Sequence, residues 1–392
     1  MNPAPPTRRD ERPGPLSRIR VVELSGLGAL PFAGMVLADL GADVILVERT
    51  DPAPMLSHRG GRKELLHRGR RSIAIDLKKE QGAELILRLV ETADILMEGF
   101  RPGVAERLKL GPQECLGRNP QLIYGRLTGW GQTGPLKGRV GHDVNYLALS
   151  GALHVIGEAC GPPLPPVNFL GDFAGGGLLL VVGLLSALWE RQWSSRGQVV
   201  DASILDGSAL LTTHLHSLIA QGLWNPGRGS NLIDGGAPFY GVYKTKDARY
   251  LAIGALEPRF YTRLLERLGI DQASLPPQFD TSGWDLIRKR LADVFQTRSL
   301  EQWRQALEDI DVCFAPVLAP EEATHHPHNQ ARATFVCEGG INQPAPAPRF
   351  SRSPVDIRRP PPLKGEDSSE VLAELGLAVG EVDRLYAAGV VA

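Results

Sequence analysis

The fold is decided by residues 19–48, which read IRVVELSGLGALPFAGMVLADLGADVILVE. Two apolar runs, at 19–24 and 43–48, have the length of buried strands, and the segment between them opens with a Gly-rich turn and continues at helical spacing. A strand, a helix and a second strand in this order form a βαβ unit, whose two strands run parallel. The stretch therefore predicts the start of a parallel α/β sheet.

The same alternation continues downstream. Strand-like runs at 71–77, 94–99 and 122–130 follow, with an amphipathic segment at 78–93 between the first two. Further helical patterns lie at 143–157, 172–192 and 203–223. Strands that alternate with helices predict a large, Rossmann-like α/β domain built on a parallel sheet.

The second half of the chain has a different pattern. A Gly- and Pro-rich stretch at 225–238 precedes two strand-like runs around Lys246-Asp247-Ala248, which predict a hairpin, and amphipathic helices follow. This pattern predicts a separate, smaller α+β domain. The predicted organisation is a flexible extension (1–15), a large domain (16–205, completed by 345–392), a linker (206–238), a small domain (239–325) and a return linker (326–344).

Composition excludes several classes of partner. The net charge of −1 provides no global field that would attract nucleic acid or an acidic membrane. Four cysteines without a CxxC pair, and an N-terminus without an apolar core, favour a cytoplasmic protein. Residues 173–189 carry no charge but contain four glycines, so we expect a buried helix of a soluble core and no membrane partner.

The turn after the first strand partly matches a dinucleotide-binding signature. Gly26 and Gly28 supply its first two glycines, and Glu48 stands where a ribose-binding acid would lie. Pro31 occupies the place of the third glycine and lacks an N–H donor. The segment therefore favours a tight βα turn over a nicotinamide cofactor site.

A basic cluster lies at 59–71, RGGRKELLHRGRR, with six Lys or Arg residues and one Glu. One interpretation is a solvated surface. The other is a clamp for phosphate, since Arg presents a planar fork of donors to such anions. The residues alone leave both open.

Three segments supply candidate acid/base groups. His142 follows a Gly-rich loop, Asp172 precedes an apolar helix, and Glu257 stands between a strand and a helix. Each has a plainer interpretation: His142 as a polar turn residue, Asp172 as a helix N-cap, and Glu257 as an N-cap before Pro258. Glycines 175–177 would leave room for a substrate beside Asp172.

The histidines of THHPHN (324–329) resemble metal ligands, but their spacing is irregular and Pro327 interrupts them. We expect no metal site.

Eight segments follow one another along the chain: LSRIRVVELSGLGALPFAGMVLADLGADVILVER, GRRSIAIDLK, EGFRPGVAERLKLG, LIYGRLTGWGQTGP, GHDVNYLALSG, NFLGDFAGGG, RGQVVDASILDG and GALEPRFY. In this order they resemble the family III CoA-transferases of the CaiB/BaiF type, and within them the α-methylacyl-CoA racemases. The resemblance covers roughly residues 16–390. It implies an interlocked homodimer whose active site lies between the large domain of one subunit and the small domain of its partner.

The resemblance also implies contacts to coenzyme A, with the basic loop at 59–71 beside the phosphates. The implied contacts are Arg49, Ile75, Asp76, Leu77, Lys78, Gly99, Phe100, Arg101, Arg107, Gly141, His142, Asp143, Val144, Asn145 and Tyr146.

Two activities share this scaffold. In the transferases the aspartate that matches Asp172 forms covalent intermediates, whereas in the racemases it acts with a histidine in proton transfer. The motif GHDVNY and the pair Glu257-Pro258 resemble the racemases. The resemblance therefore implies interconversion of (2R)- and (2S)-2-methylacyl-CoA thioesters. The alternatives are a CoA-transferase with Asp172 as nucleophile and a non-catalytic protein that binds CoA or a nucleotide.

The racemase chemistry assigns a role to each group. His142 and Asp172 would each exchange a proton with one face of the α-carbon, and burial should raise the pKa of Asp172. Glu257 would hydrogen-bond His142 and set its tautomer. Backbone N–H groups around Asp143 would stabilise the enolate oxygen. We expect no metal and no other cofactor, because coenzyme A enters with the substrate.

Overall fold

The structure of the chain, a computed structural model, describes residues 14–51 and 61–392. Its largest element is a parallel sheet of six strands: β1 (Arg20–Leu24), β2 (Asp43–Glu48), β3 (Arg71–Ala74), β4 (Ile95–Glu98), β5 (Ile123–Thr128) and β6 (Gln198–Ser203). The spatial order is β3-β2-β1-β4-β5-β6, and every neighbouring pair is parallel. This is the doubly wound order, in which the chain changes direction between β1 and β4. The predicted Rossmann-like sheet is confirmed.

Helices lie between these strands, and one more follows the last of them. They are α1 (Ala29–Asp39), α2 (Glu80–Glu91), α3 (Val104–Arg107), α4 (Pro112–Arg118), α5 (Asp143–Ser150), α6 (Leu179–Ser194) and α7 (Ile204–Leu211). A π-helical segment, Phe169–Leu178, runs directly into α6. Two more helices, α14 (Ser368–Glu374) and α15 (Val379–Ala387), pack near the chain end against the same body, as their buried residues show.

Both faces of the sheet are covered. Side chains alternate between the faces of a strand. Val22 and Leu24 of β1 therefore join one apolar core with α2 and the C-terminal helices, while Val21 joins the other core with α1 and α6. The strands β1 to β4 are buried along their whole length, which explains why they read as continuous apolar runs in the sequence.

A second body forms from the later part of the chain. Strands β7 (Tyr240–Lys244), β8 (Tyr250–Gly254) and β9 (Phe314–Pro316) form an antiparallel sheet, and the first two make the predicted hairpin. Helix α8 (Thr213–Ala220) precedes the hairpin, and the helices after it are α9 (Pro258–Leu268), α10 (Trp284–Phe295), α11 (Leu300–Leu307) and α12 (Pro320–Ala323). Helix α13 (Pro327–Ala331) begins at the last residue of this body and otherwise belongs to the first one. The apolar faces of α9, α10 and α11 share a separate core around Phe239, Tyr261 and Trp303.

The described residues divide into two compact units. The first takes its residues from Met1–Ser150, Val167–Leu211 and His328–Ala392, and the second is Gly151–Pro166 with Thr212–Pro327. The stretch interpreted as a linker, 206–238, contains the end of α7 and all of α8. The stretch interpreted as a return linker contains the hairpin β10 (Phe335–Glu338) and β11 (Ile341–Pro344). The predicted extension, 1–15, lies mostly outside the described residues.

Strand β6 was not predicted. Among the described strands it pairs only with β5, at the edge of the sheet, and its first four residues are exposed or half-buried. An edge strand of this kind has no continuous apolar run, so its sequence lacks the signal that marks β1 to β4.

The apolar segment 169–194 is helical throughout, but the expectation of a buried core helix is wrong for one of its faces. The helix has a mean hydropathy of 1.8 over its most apolar window, of which 39% is buried. Phe169, Leu178, Val182, Trp189 and Trp193 are exposed. By length and composition it is long and apolar enough to cross a membrane, a criterion that core helices of soluble proteins also meet.

Candidate active site

A cavity of about 440 Å³ opens at the carboxyl ends of the strands in the first unit. Loops that follow β1, β4 and β5 form its walls, so it lies at the point where the strand order reverses, the usual ligand position in open α/β sheets. His142 and Asp172 both line this one cavity. Its other lining residues are Gly26–Leu30, Gly99–Pro102, Leu127–Trp130, Lys137, Arg139–Gly141, Tyr146 and Ile204.

The turn after β1 has a left-handed residue. Gly28 precedes α1 with φ of 61°. A Cβ on Gly28 would lie 2.8 Å from Oδ2 of Asp172. A dinucleotide-binding turn presents its glycines to a pyrophosphate, whereas this one faces a carboxylate. The preference for a tight βα turn over a nicotinamide site agrees with this arrangement.

Asp172 lies inside the π-helical segment, after Asn168 at its N-cap position, so the plain N-cap interpretation of Asp172 is wrong. Phe173 stacks on Phe32 of α1 with ring centroids 4.6 Å apart, which anchors the turn to the large body. Burial raises the pKa of Asp172, and the charge of Asp143 raises it further. A hydrogen bond to the Asn168 side chain and the proximity of His142 act in the opposite direction. The direction agrees with the expectation from the sequence.

His142 directly precedes α5 and is exposed. Its backbone N–H donates to Oδ1 of Asn145 at 3.0 Å, and the Asn145 N–H donates to the His142 carbonyl at 2.8 Å. This pair of bonds fixes the His142 backbone at the mouth of the helix, as the sequence predicted. The amides that open the helix ahead of Asn145 have no acceptor within it, so the region keeps the capacity to bind an oxyanion.

Asp143 has a role that the sequence did not predict. It is 8% exposed and does not line the cavity, and its Oδ1 accepts a hydrogen bond from the Asp172 backbone N–H at 2.6 Å. Burial raises its pKa, while hydrogen bonds from the amides of Asp172 and Gly171 lower it. The Asp143 side chain therefore binds the backbone of the segment that carries Asp172.

Tyr146 lines the cavity with a phenol that is mostly buried. Its ring meets Trp130 edge to face, 4.7 Å between centroids, and fills the space beside Gly129 where a Cβ would stand. Burial and the charge of Asp172 raise its pKa, and Arg101 opposes this. Tyr146 is therefore a neutral hydrogen-bond donor at ordinary pH.

The glycines after Asp172 serve helix packing and not, as expected from the sequence, the approach of a substrate. Gly175, Gly176 and Gly177 are buried. A Cβ on them would meet the backbone of Ser208, the side chain of Ile204 and the carbonyl of Ala29, respectively, at 2.8–2.9 Å. They permit close packing of the π-helical segment on α1 and α7, and they do not make room for a substrate.

The residues implied as coenzyme A contacts fall into two groups. Those that line the cavity are Gly99, Phe100, Arg101, Gly141, His142 and Tyr146. Those outside its walls are Arg49, Ile75, Asp76, Leu77, Lys78, Arg107, Asp143, Val144 and Asn145. Among the latter, Arg49 and Lys78 lie together, since both pair with Asp51, at 3.0 and 3.6 Å.

Two cations at the cavity were missed by sequence reasoning. Lys137 and Arg139 line it together with Arg101. They occur two residues apart in the turn-rich stretch before His142, which is the signal that was available in the sequence.

The phosphate-clamp interpretation of the basic cluster is wrong for three of its arginines. Arg68 pairs with Asp39 at 2.6 Å, Arg70 with Glu23 at 3.0 Å and Arg71 with Asp43 at 2.7 Å. All six side chains are buried, and Arg70 and Glu23 have no exposed surface at all. These charges compensate carboxylates inside the first unit, so they are not available to a ligand. Arg59 and Gly60 lie outside the described residues.

Glu257 lies in the second unit, where it precedes α9 with Pro258 at the first helical position. Glu257 therefore occupies the N-cap position of α9, as its plainer interpretation predicts. Together with burial, its charge raises the pKa of the Cys313 thiol. Its role toward His142 stays a prediction.

Two of the three histidines of segment 324–329 have protein partners. His326 Nε2 lies 2.6 Å from Glu308 Oε1, and His325 Nδ1 lies 3.0 Å from the Glu321 carbonyl. Within residues 14–51 and 61–392, no group of three or more His, Cys, Asp or Glu side chains has the arrangement of a metal site.

Comparison with known proteins gives consistent matches. A sequence model of CoA-transferase family III matches residues 16–368. An alpha-methylacyl-CoA racemase of Mus musculus is 46% identical over 95% of this chain and 96% of its own, and that of Homo sapiens is 42% identical over 94% and 96%. The crystal structure of a CAIB/BAIF family protein from Brucella suis superposes with a TM-score of 0.79 at 28% identity and covers 93% of this chain and 100% of its own.

Proposed function

The chain belongs to CoA-transferase family III, and we propose that it is an α-methylacyl-CoA racemase, which interconverts (2R)- and (2S)-2-methylacyl-CoA thioesters. The observation that carries the proposal is that His142 and Asp172 line one cavity. Inversion of a carbon centre through its enolate needs a proton acceptor on one face and a proton donor on the other. The names of the racemase relatives, at 42–46% identity, support the same activity.

The proposed reaction begins with loss of the α-proton. In one direction His142 accepts it, the C–H electron pair enters the enolate, and negative charge develops on the thioester oxygen. Protonated Asp172 then delivers a proton to the opposite face of the same carbon. In the reverse direction the two roles exchange. A raised pKa suits Asp172 to both roles, because a carboxyl of ordinary pKa would be a poor proton donor at neutral pH.

Surrounding groups support the enolate and the thioester. Amides at the start of α5 would stabilise the enolate oxygen. Glu257 would orient His142 and stabilise its protonated form. We propose coenzyme A contacts from the cavity cations, Arg101, Lys137 and Arg139, and from Arg49 and Lys78. No metal or further cofactor takes part, because the thioester itself acidifies the α-carbon.

The test is proton exchange. A single epimer of a 2-methylacyl-CoA, drawn from a panel of acyl chains, is incubated with the protein in heavy water. The proposal predicts α-deuterium incorporation together with loss of optical purity, without any acceptor acid. Retention of both the α-proton and the optical purity across the panel would contradict the racemase proposal.

The second candidate is CoA transfer, which the family description supports. It requires only Asp172, as a nucleophile that attacks the thioester carbonyl and releases the CoA thiolate. Hydroxylamine would then trap an activated acyl group on Asp172 during turnover. Turnover that needs no acceptor acid would count against this candidate.

We also propose a cytoplasmic homodimer with the active site shared between subunits. The exposed apolar face of segment 169–194 supports association, because an aqueous monomer would leave Trp189 and Trp193 both about two-thirds exposed. Sedimentation velocity should give twice the mass of one chain at micromolar concentration. A monomer throughout, or co-sedimentation with lipid vesicles, would contradict this assembly.

A further inference from the structure

The two proposed acid/base groups are connected through a single side chain. Asp143 is the covalent neighbour of His142, and its Oδ1 accepts a hydrogen bond from the Asp172 backbone N–H at 2.6 Å. The Gly171 amide faces the same carboxylate. His142 and Asp172 are 30 residues apart in sequence, and Asp143 joins the two segments that carry them.

This connection is tight. The Asp143 side chain lies where a Cβ on Gly171 would stand, so the backbone approaches the carboxylate as closely as a glycine allows. Asp143 is 8% exposed, and its Oδ2 is buried without a hydrogen-bond partner among the described residues. A buried, incompletely satisfied carboxylate destabilises a fold. Stability therefore does not explain its presence, and a functional contribution does.

We propose that Asp143 is a positioning residue for the proton transfer: its carboxylate fixes the separation between His142 and the Asp172 turn. This inference rests on the proposed racemase function and adds a residue to it. Asp143 does not line the cavity, so it acts through the backbone of Asp172 and not on the substrate.

The physical reason is the geometry of a two-sided transfer. The α-carbon has to lie within reach of both groups, and an error of about 1 Å in such an arrangement costs about 100-fold in rate. A hydrogen bond from an ionised acceptor is stronger and shorter than a neutral one, so a carboxylate holds the Asp172 amide better than water would.

The charge of Asp143 has a second effect on Asp172. The ionisable groups that face Asp172 are Asp143, His142 and Tyr146. The charge of Arg101 in turn lowers the pKa of Tyr146. Of these, Asp143 raises the pKa of Asp172 and His142 lowers it. Loss of the Asp143 charge should therefore lower the pKa of Asp172.

Two substitutions separate position from charge. Asp143→Asn keeps an oxygen acceptor for the Asp172 amide and removes the charge. We expect a modest loss of kcat. In the pH profile of kcat, the limb that reports the ionisation of Asp172 should shift to lower pH. Asp143→Ala removes both, and we expect kcat to fall about 100-fold with little change in KM. Deuterium should then enter the α-carbon mainly with retention of configuration, because only one of the two groups still exchanges a proton with its face of the carbon.

Gly171→Ala provides an independent route to the same defect, since its Cβ would displace the Asp143 carboxylate. If Asp143 acts through this contact, the double variant Asp143→Ala/Gly171→Ala should be no slower than the slower single variant. Multiplicative losses would overturn the proposal, as would an Asp143→Ala variant with the wild-type kcat and the wild-type ratio of inversion to retention.

A readout that is independent of activity distinguishes this inference from the racemase assignment. Amide hydrogen exchange at Gly171 and Asp172 should accelerate at least tenfold in Asp143→Ala and less in Asp143→Asn. If the wild-type protein exchanges no α-proton, the proposed function fails, and this measurement still decides whether Asp143 holds the turn. Unchanged protection of both amides in Asp143→Ala would overturn the proposal.

Discussion

Gly28 faces the carboxylate of Asp172 so closely that a Cβ on residue 28 would lie 2.8 Å from Oδ2. The first residue comes from the turn after β1 and the second from the π-helical segment, 144 residues later in the chain. The backbone of Gly28 also has φ of 61°, a left-handed conformation that side chains disfavour. The wall of the cavity beside Asp172 is thus formed by bare backbone.

Gly28→Ala is predicted to impair both stability and turnover. The new methyl group strains the backbone by about 1–2 kcal/mol and displaces the Asp172 carboxylate, so kcat should fall about 100-fold. The control is Gly269→Ala, where φ is 69° and no atom lies within 4 Å of the new Cβ. Gly269 lies in the αL region, with ψ of 30°, whereas Gly28 has ψ of −105°, so the Gly269→Ala variant should lose no more stability in urea unfolding than Gly28→Ala and should keep its kcat. Equal kinetic effects in the two variants would contradict the role of the contact.

Single-base variants are predicted to separate exchange from inversion. His142→Gln and Asp172→Asn should each lower the rate of racemisation by about 10²–10⁴-fold, the usual contribution of one acid/base group. Each should still exchange the α-proton of one epimer, and the preferred epimer should be opposite in the two variants. Mass spectrometry with chiral separation measures both quantities. His328→Gln, in exposed α13, is the matched control and should behave as wild type.

The raised pKa of Asp172 predicts a pH-dependent effect on stability. A carboxyl whose pKa is higher in the folded state stabilises the fold below its unfolded pKa, about 3.9, and this contribution is lost as pH rises through the folded value. Asp172→Asn removes the buried charge, so it should raise Tm relative to wild type at about pH 8. Below about pH 3 the difference should vanish, because wild-type Asp172 is then protonated in both states. A destabilised variant at about pH 8 would contradict this.

The buried pair of Arg70 and Glu23 predicts a large effect from a residue that resembles a phosphate ligand in the sequence. Burial raises the pKa of Glu23 to about 7 even beside Arg70, so Arg70→Met leaves a buried carboxyl that is either unpaired or has to take up a proton, and it should cost about 3–5 kcal/mol of unfolding free energy. Arg62→Met, which removes a half-exposed pair with Glu366, should cost less than about 1 kcal/mol. Urea denaturation at neutral pH measures both. Similar costs in the two variants would restore the view of Arg70 as a surface cation.

The sheet and its order of elements were largely predictable. Strands β1 to β4 are buried on both faces, so each is a short apolar run, and the helices between them have apolar residues at helical spacing. Edge strand β6 was not predictable on the same grounds. His142 and Asp172 were predictable as candidates because each follows a glycine at a helix entrance, which is a local feature.

The sequence by itself therefore determined the alternation of strands and helices and the identity of the acid/base candidates, because these depend on neighbours within one turn or one strand. Only the tertiary structure decided what the charges do. Arg70 meets Glu23, 47 residues away, and Asp143 meets the amide of Asp172, 29 residues away. A charged side chain has the same sequence signal whether its partner is a ligand or a distant carboxylate. Its partner depends on which segments the folded sheet brings together.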